Sequence, residues 1–330
     1  MEKEVQREFI YCSGAATEVL KVGSSHLSGR DVLFLIIPGN PGMVEFYRSF
    51  MQTLHSLLGL PVWAVSHAGH CAPPDSMDIV EGRTSFSFRL SSQLRPENQV
   101  VSPCGSDASA AAKRDVFGLD GQVQHKLAFL HQHVPRGTAL VLVGHSIGCY
   151  MILEMMRRDP ELKVLKAVLL FPTIERMAQS PQGKVMTPLM CQLRYLLYLP
   201  LFLLSLLPHG VMARLVRLMF SSIPDLDPCV LQPSVEMLGS GDCPVNALYL
   251  GGQEMRMVLE RDNVTIQKNL DKVREHLSSF LDPEDGFRSG DSNTSCSSAP
   301  VLLRSVGPLV PRHLLPGHQE GFPTWRLPAV

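Results

Sequence analysis

An apolar run, Ala139-Leu140-Val141-Leu142-Val143, leads straight into Gly144-His145-Ser146-Ile147-Gly148, and a segment of helical character, Cys149 to Arg157, follows at once. A serine in that setting sits on a sharp, strained strand-to-helix turn, a nucleophile elbow, which lifts its hydroxyl above the end of a sheet. The turn brings strand and helix so close that the flanking positions must lack bulk, and Gly144 and Gly148 occupy them. A G-x-S-x-G string alone arises by chance. Agreement of both flanks gives this one its meaning.

The rest of the chain alternates strand and helix. Val32 to Ile37 is a continuous apolar run ended by Pro38-Gly39-Asn40-Pro41-Gly42, which suits a strand buried on both faces. From Val44 to Leu58 the residues Phe46, Tyr47, Phe50, Met51, Leu54, Leu57 and Leu58 recur at helical spacing. Pro61 to Val65 reads as a strand, Leu119 to Val134 as a helix, and Lys166 to Phe171 as a further strand. That order predicts an α/β fold with a mostly parallel sheet, right-handed crossovers and a ligand site beyond the carboxyl ends of the strands. Ser146 and the 38–42 loop both fall at such ends.

Three segments interrupt the alternation. Ser76 to Lys113, rich in Ser, Pro and polar residues, reads as a polar surface insertion. Residues 172–250 read as a lid or cap that contains the apolar segment 189–207, uncharged from Tyr195 to Leu207. From about Leu281 the chain is dominated by Ser, Pro and Gly and reads as a disordered tail over 281–330. The α/β domain is thereby placed at 8–280. The apolar segment is too short, and too interrupted by Arg194 and Pro200, for a two-pass span. It fits a buried lid helix or a segment that inserts shallowly at a lipid surface.

Charged residues make up 18% of the chain and the net charge is −1. With no basic stripe interleaved with aromatic residues, nucleic acid is excluded as a partner. Eight cysteines are scattered with no C-x-x-C pair, which suits reduced thiols. The charged start, Met1 to Glu8, does not resemble a signal peptide. His67, His70 and Cys71 have ligand-type side chains at short spacing, but no second cluster completes a zinc site. No metal and no cofactor are therefore expected.

Ser146 as a nucleophile needs a base, a group to orient that base, and donors for the oxyanion. One donor is expected to be the N–H of Ile147, the residue after the nucleophile, and the other an N–H of the 38–42 loop. Pro38 and Pro41 have none to offer, which leaves Asn40 first and Gly39 second. Chain order on such a fold is Ser, then Asp or Glu, then His. The downstream histidines are His209 in the lid, His276 in a polar segment 267–280 that reads as a helix, and His313 and His318 in the tail. Glu175, just past the 166–171 strand, is a candidate acid. His145 leaves the turn in another direction than Ser146, so it supports the turn or lines the pocket.

Leu35-Ile36-Ile37-Pro38-Gly39-Asn40-Pro41-Gly42, Ser66-His67-Ala68-Gly69-His70, Leu119-Asp120-Gly121-Gln122-Val123-Gln124-His125-Lys126, Gly144-His145-Ser146-Ile147-Gly148, Phe171-Pro172-Thr173-Ile174-Glu175-Arg176-Met177 and Tyr249-Leu250-Gly251-Gly252-Gln253-Glu254-Met255 together resemble the lipid droplet-associated hydrolases, from about Glu8 to Val273. The resemblance implies an α/β-hydrolase-fold serine hydrolase of lipid droplets and the cytosolic face of the endoplasmic reticulum, acting on neutral lipid esters such as cholesteryl esters. It implies Ser146 as the nucleophile and 189–207 as a lipid anchor. The family continues with a strand carrying the triad aspartate and an Ile-Pro-His-Ala loop carrying the histidine. Nothing after Arg274 resembles either, so C-terminal strands and a helix are expected to be missing and the activity impaired. Two further readings stay open: a catalytically inactive protein that binds droplets or partners, and a soluble carboxylesterase or thioesterase with a buried lid.

Overall fold

The computed structural model describes residues 4–28, 31–81, 115–220 and 228–276. The reading of a tail beyond 281 and most of the polar insertion fall outside them. The chain opens with a hairpin that the apolar pattern alone does not reveal: β1 (Val5–Cys12) pairs antiparallel with β2 (Ala15–Val22). Its two-residue turn, Ser13-Gly14, has positive φ at both positions, 54° and 75°, which matches the right-handed twist of the flanking strands. The ordered domain thus begins before residue 8.

Next come β3 (Val32–Ile37), a one-turn helix at Val44–Tyr47, α1 (Arg48–Leu58), β4 (Val62–Val65), α2 (Leu119–His133), β5 (Ala139–His145), α3 (Ile147–Arg158) and β6 (Val164–Leu170). The α1 helix stops where Gly59 takes φ 69° and its N–H caps the His55 carbonyl. The cap is helical: α4 (Pro181–Cys191), α5 (Arg194–Ser205), α6 (His209–Met219), α7 (Pro228–Gly239) and α8 (Asp242–Met257). After α9 (Asn263–Lys268) the chain returns to the sheet as β7 (Val273–His276). This corrects the reading of 267–280 as a helix. Val273 to His276 pairs in parallel with Ala167 to Leu170, so one strand of the region thought missing is present.

The sheet order is β1-β2-β4-β3-β5-β6-β7. From β4 to β7 the strands are mutually parallel, and the β1–β2 hairpin adds antiparallel to β4. This is the α/β-hydrolase fold. After β3 the chain moves to one side, to β4, and then crosses to the other, to β5. Such a reversal opens a crevice at the carboxyl ends of β3 and β5. All seven residues of β5 are buried, and α3 buries Ile147, Cys149, Met151, Ile152, Leu153, Met155 and Met156 against the sheet. The elbow therefore stands at the centre of the largest apolar cluster.

Beside that apolar centre lies a buried polar one. Gln122 of α2 grips the loop after β4: its Oε1 accepts from the Ala68 N–H at 2.7 Å, and its Nε2 donates to the Ala68 carbonyl at 3.2 Å. Lys126 Nζ donates to the Ser66 carbonyl at 2.8 Å and lies 3.0 Å from His125 Nδ1, whose Nε2 is 2.8 Å from Thr17 Oγ1. His67, His70, His125 and Lys126 are all fully buried. Burial disfavours their charged forms, pushing Lys126 down to about 7, His70 down to about 4, and His67 and His125 well below the usual imidazole range. Among the described residues neither ring nitrogen of His67 has a hydrogen-bond partner.

These histidines tie stability to pH. Below about pH 6.5 the unfolded chain binds protons that the folded histidines refuse, so their contribution is complete above that pH and is lost as pH falls. Each proton is worth about 1.4 kcal/mol per pH unit over the window in which the two states differ. His67→Leu is expected to make the curve of unfolding free energy against pH shallower by one proton between about pH 6.5 and 5. Urea denaturation across that range measures it, and a curve parallel to wild type would show that His67 is not held neutral.

Candidate active site

Ser146 bridges β5 and α3 with φ 52° and ψ −119°, a conformation that side chains rarely adopt and that tight surroundings must hold. Its N–H donates to the Leu170 carbonyl at 3.0 Å, and its own carbonyl accepts from Cys149 at 3.0 Å and Thr173 at 3.2 Å. The flanking glycines are required by contact as well as by pattern. A Cβ on Gly148 would stand 2.2 Å from the Ile37 carbonyl oxygen, and one on Gly144 2.9 Å from the Cys149 backbone. The Ser146 hydroxyl lies 3.0 Å from the Thr173 hydroxyl, on the loop after β6. Sequence reasoning did not single out Thr173.

Accounting for the N–H groups of the 38–42 loop identifies its available donor. Pro38 and Pro41 have no N–H. Gly39 donates to Tyr47 Oη at 2.9 Å and Gly42 donates back to the Gly39 carbonyl at 2.7 Å. Gly39, the second choice as an oxyanion donor, is thus already committed. Among the described residues the N–H groups of Asn40 and Ile147 have no acceptor. The loop is also close to the elbow: a Cβ on Gly39 would come within 3.0 Å of Ser146 Cβ. Ile147 opens the 12-residue helix α3, whose positive dipole end faces the same place.

Two buried side chains set this loop, and neither was evident from the sequence. Tyr47 takes the Gly39 N–H and places its hydroxyl 2.7 Å from His145 Nδ1, bracing the loop against the elbow. Complete burial raises the Tyr47 pKa, keeping the phenol protonated. On the other side, Asn40 Nδ2 donates to the Ala247 carbonyl at 2.8 Å and to Glu254 Oε1 at 3.0 Å, both on α8. Burial pushes the Glu254 carboxyl up to about 8, so it is neutral at pH 7. His145 is buried between Tyr47 and Phe171, whose rings it meets edge-on.

The other candidates are dispersed. Glu175 faces Arg261 at 3.8 Å. His209 begins α6 on an exposed turn, His276 ends β7, and His313 and His318 lie outside the described residues. His67 and His70 stand edge to face with centroids 5.5 Å apart, and His70 Nδ1 lies 2.6 Å from the Pro41 carbonyl. Cys71 is buried beside them as a free thiol. Among the described residues no three His, Cys, Asp or Glu side chains form a group that could hold a metal ion.

Residues 30–294 match the profile of a family described as lipid-droplet associated hydrolase. The chain is 49% identical over 278 residues to the lipid droplet-associated hydrolase of Gallus gallus, which covers 82% of this chain and 78% of that one. It is 40% identical over 291 residues to the corresponding protein of Homo sapiens, with 82% and 79% covered. Among solved structures, a laboratory-evolved variant of potato epoxide hydrolase matches 76% of this chain and 75% of its own at 14% identity and a TM-score of 0.44.

The contact at Gly148 gives a direct test of how tightly the elbow is held. Gly148→Ala is expected to lose about 3 kcal/mol or more, because its methyl group meets backbone that cannot move aside. Gly210→Ala, where nothing lies within 4 Å, should stay within about 0.5 kcal/mol of wild type. Urea denaturation of the two variants side by side checks the difference, and equal losses would refute the packing argument.

Proposed function

The chain belongs to the lipid droplet-associated hydrolase family, and we propose that it cleaves ester bonds of neutral lipids, cholesteryl esters among them, with Ser146 as the nucleophile and at an impaired rate, since a triad aspartate and histidine are not evident among the described residues. It is a hydrolase of the α/β fold. The single observation that carries the catalytic reading is the strained Ser146 beside two N–H groups, of Asn40 and Ile147, that have no other acceptor among the described residues. In this reading Ser146 Oγ attacks the ester carbonyl, and the oxygen that becomes negative is met by those two N–H groups. Collapse breaks the ester C–O bond, the Ser146 proton leaves with the alcohol, and the acyl-enzyme ester that remains is hydrolysed by water, which gives the fatty acid and returns a proton to Ser146. Thr173 Oγ1, at 3.0 Å, steadies the hydroxyl before attack.

The site of action we propose is the surface of lipid droplets and the cytosolic face of the endoplasmic reticulum. What supports it is the outer side of the cap. Leu196, Leu199, Leu203 and Leu206 are spaced by three, four and three residues, so they share one stripe of α5 and the turn after it, and each is between 54% and 72% exposed. Val185 of α4 and Leu218 and Met219 of α6 are exposed apolar side chains of the cap as well. Burying one leucine is worth about 1.5–3 kcal/mol, so four of them give an ample drive onto lipid. No single described helix is long and apolar enough to cross a membrane. The α4–α5 pair passes that test only together, bent by 78°. A shallow docking surface agrees with both facts. The same stripe favours a second reading, attachment to lipid without turnover.

A fluorophosphonate probe separates the two. The wild-type chain should be labelled covalently and Ser146→Ala should not, with hydrolysis of a cholesteryl ester emulsion falling in the variant. Absence of labelling in wild type would overturn the hydrolytic reading. Replacing Leu196, Leu199, Leu203 and Leu206 with Ser should release the protein from droplets, whereas Ser146→Ala should leave it there. Retention of the four-serine variant would overturn the docking surface.

A further inference from the structure

Asn40 does two things at once. Its backbone N–H is the uncommitted donor of the loop, while its side-chain amide is fully engaged elsewhere. Both hydrogens of that amide go to one cap helix, one to the Ala247 carbonyl and one to the Glu254 carboxyl, at 2.8 and 3.0 Å. Ala247 and Glu254 lie two turns apart on α8. Two hydrogen bonds to one helix restrict the Asn40 side-chain torsions and, through them, the backbone that bears it. Pro38 and Pro41 limit the loop on either side.

Glu254 suits this task for a reason beyond its reach. It is 2% exposed, and burial keeps it protonated at neutral pH. An ionised carboxylate behind an oxyanion donor would oppose the charge that develops in the reaction. A neutral acid offers the same acceptor without that penalty.

The same helix α8 is also joined to the helices that carry the exposed leucines. A Cβ on Gly251 would stand 2.5 Å from Met190 Sδ of α4 and 3.4 Å from Asn40 Nδ2, so α4 and the Asn40 side chain meet α8 at the same glycine. Cys191 Sγ reaches the Gly252 carbonyl at 3.6 Å, and the Arg194 guanidinium at the start of α5 lies 5.4 Å from the centre of the Tyr249 ring.

We propose that Glu254 is a positioning residue for the oxyanion hole: from cap helix α8, together with the Ala247 carbonyl, it grips the Asn40 side chain and so aims the Asn40 N–H at the carbonyl oxygen under attack. This rests on the assignment of Ser146 and Asn40 made above. It makes the cap a working part of the reaction centre. A cap helix that shifts against lipid shifts the donor with it.

The test uses the full chain and four variants: Glu254→Leu, Glu254→Gln, Asn40→Ala and the double variant of Glu254→Leu with Asn40→Ala. Two measurements are made, the second-order rate of labelling by a fluorophosphonate, whose P=O oxygen occupies the oxyanion hole, and hydrogen exchange of the peptide spanning residues 38–44. Glu254→Leu should slow labelling by about 10–100-fold and speed exchange of the loop. Glu254→Gln, which keeps an acceptor in place, should restore most of the rate. Asn40→Ala keeps the N–H but loses both contacts of the side chain, and should slow labelling at least as much as Glu254→Leu. The double variant should be no slower than Asn40→Ala, because that change already removes the contact Glu254→Leu breaks. Wild-type labelling by Glu254→Leu, equal slowing by Glu254→Gln, or additive effects in the double variant would each overturn the proposal. If wild-type protein itself is not labelled, the assignment of Ser146 fails instead. Loop exchange still decides the grip: unchanged exchange in Glu254→Leu would overturn it.

Discussion

The contact on which the molecule depends is the one between Gly148 and the Ile37 carbonyl, where α3 begins against the end of β3 with no room for a methyl group. That approach forces Ser146 into its positive φ, because the chain must leave β5 and enter α3 within one residue. Strain of this kind, about 1–3 kcal/mol, persists only where surroundings over-determine it. Here the surroundings are the buried strands β3 and β5 on one side and the apolar face of α3 on the other. The same closeness brings the 38–42 loop beside the serine. One steric condition thus fixes the turn, the serine and the loop that faces it.

The cap shows a division of labour between its helices. Inner helix α8 buries Cys243, Leu250, Gly251, Gly252 and Met255 and is tied to the loop through Asn40. The outer helices α4 and α5 leave most of their large apolar side chains in contact with solvent. A second tie runs from the N-terminal hairpin, where Arg7 pairs with buried Glu18 at 2.5 Å and reaches Glu236 of α7 at 2.9 Å. Burial pushes Glu18 up to about 7 against the pull of Arg7. Anchored on two sides, the cap can present an apolar outer face while its inner face remains part of the catalytic domain.

How much of this was legible in the sequence follows from the range of the forces involved. Strands β3, β5 and β6 are buried by local apolar runs, so a short window suffices to see them, and the elbow reads the same way. The β1–β2 hairpin is different. Its strand Val5–Cys12 is half-exposed and mixes charges with apolar residues, and it is a strand because of its ladder with β2. Val273 to His276 has one apolar residue in four. It becomes β7 only through pairing with β6, so its local pattern misleads. Tyr47 and Glu254 were invisible as site residues for the same reason. Tyr47 reads as one of the apolar positions of a helix, and Glu254 lies 214 residues from its partner Asn40. A buried polar pair is written in no local period, although the prolines of the 38–42 loop did point to Asn40 by leaving few N–H groups to choose from.

For a neutral lipid ester the apolar face and the reaction centre need each other. Carrying a long acyl chain from a lipid phase through water costs about 0.8 kcal/mol per methylene, more than ten for a typical chain, so an enzyme that waited in solution would rarely meet its substrate. A protein docked by Leu196, Leu199, Leu203 and Leu206 removes most of that passage, since the lipid moves from one apolar environment to another. Docking by the cap alone would be useless if the cap were merely a buoy attached by a flexible strand. On the reading proposed above the docking helices rest on α8, and α8 holds the side chain of Asn40, the proposed oxyanion donor. On that reading, contact with the surface and the alignment of the donor are mechanically coupled. A rigid link suits a substrate that is abundant only at an interface, because the geometry that stabilises the transition state is then set where the substrate is found.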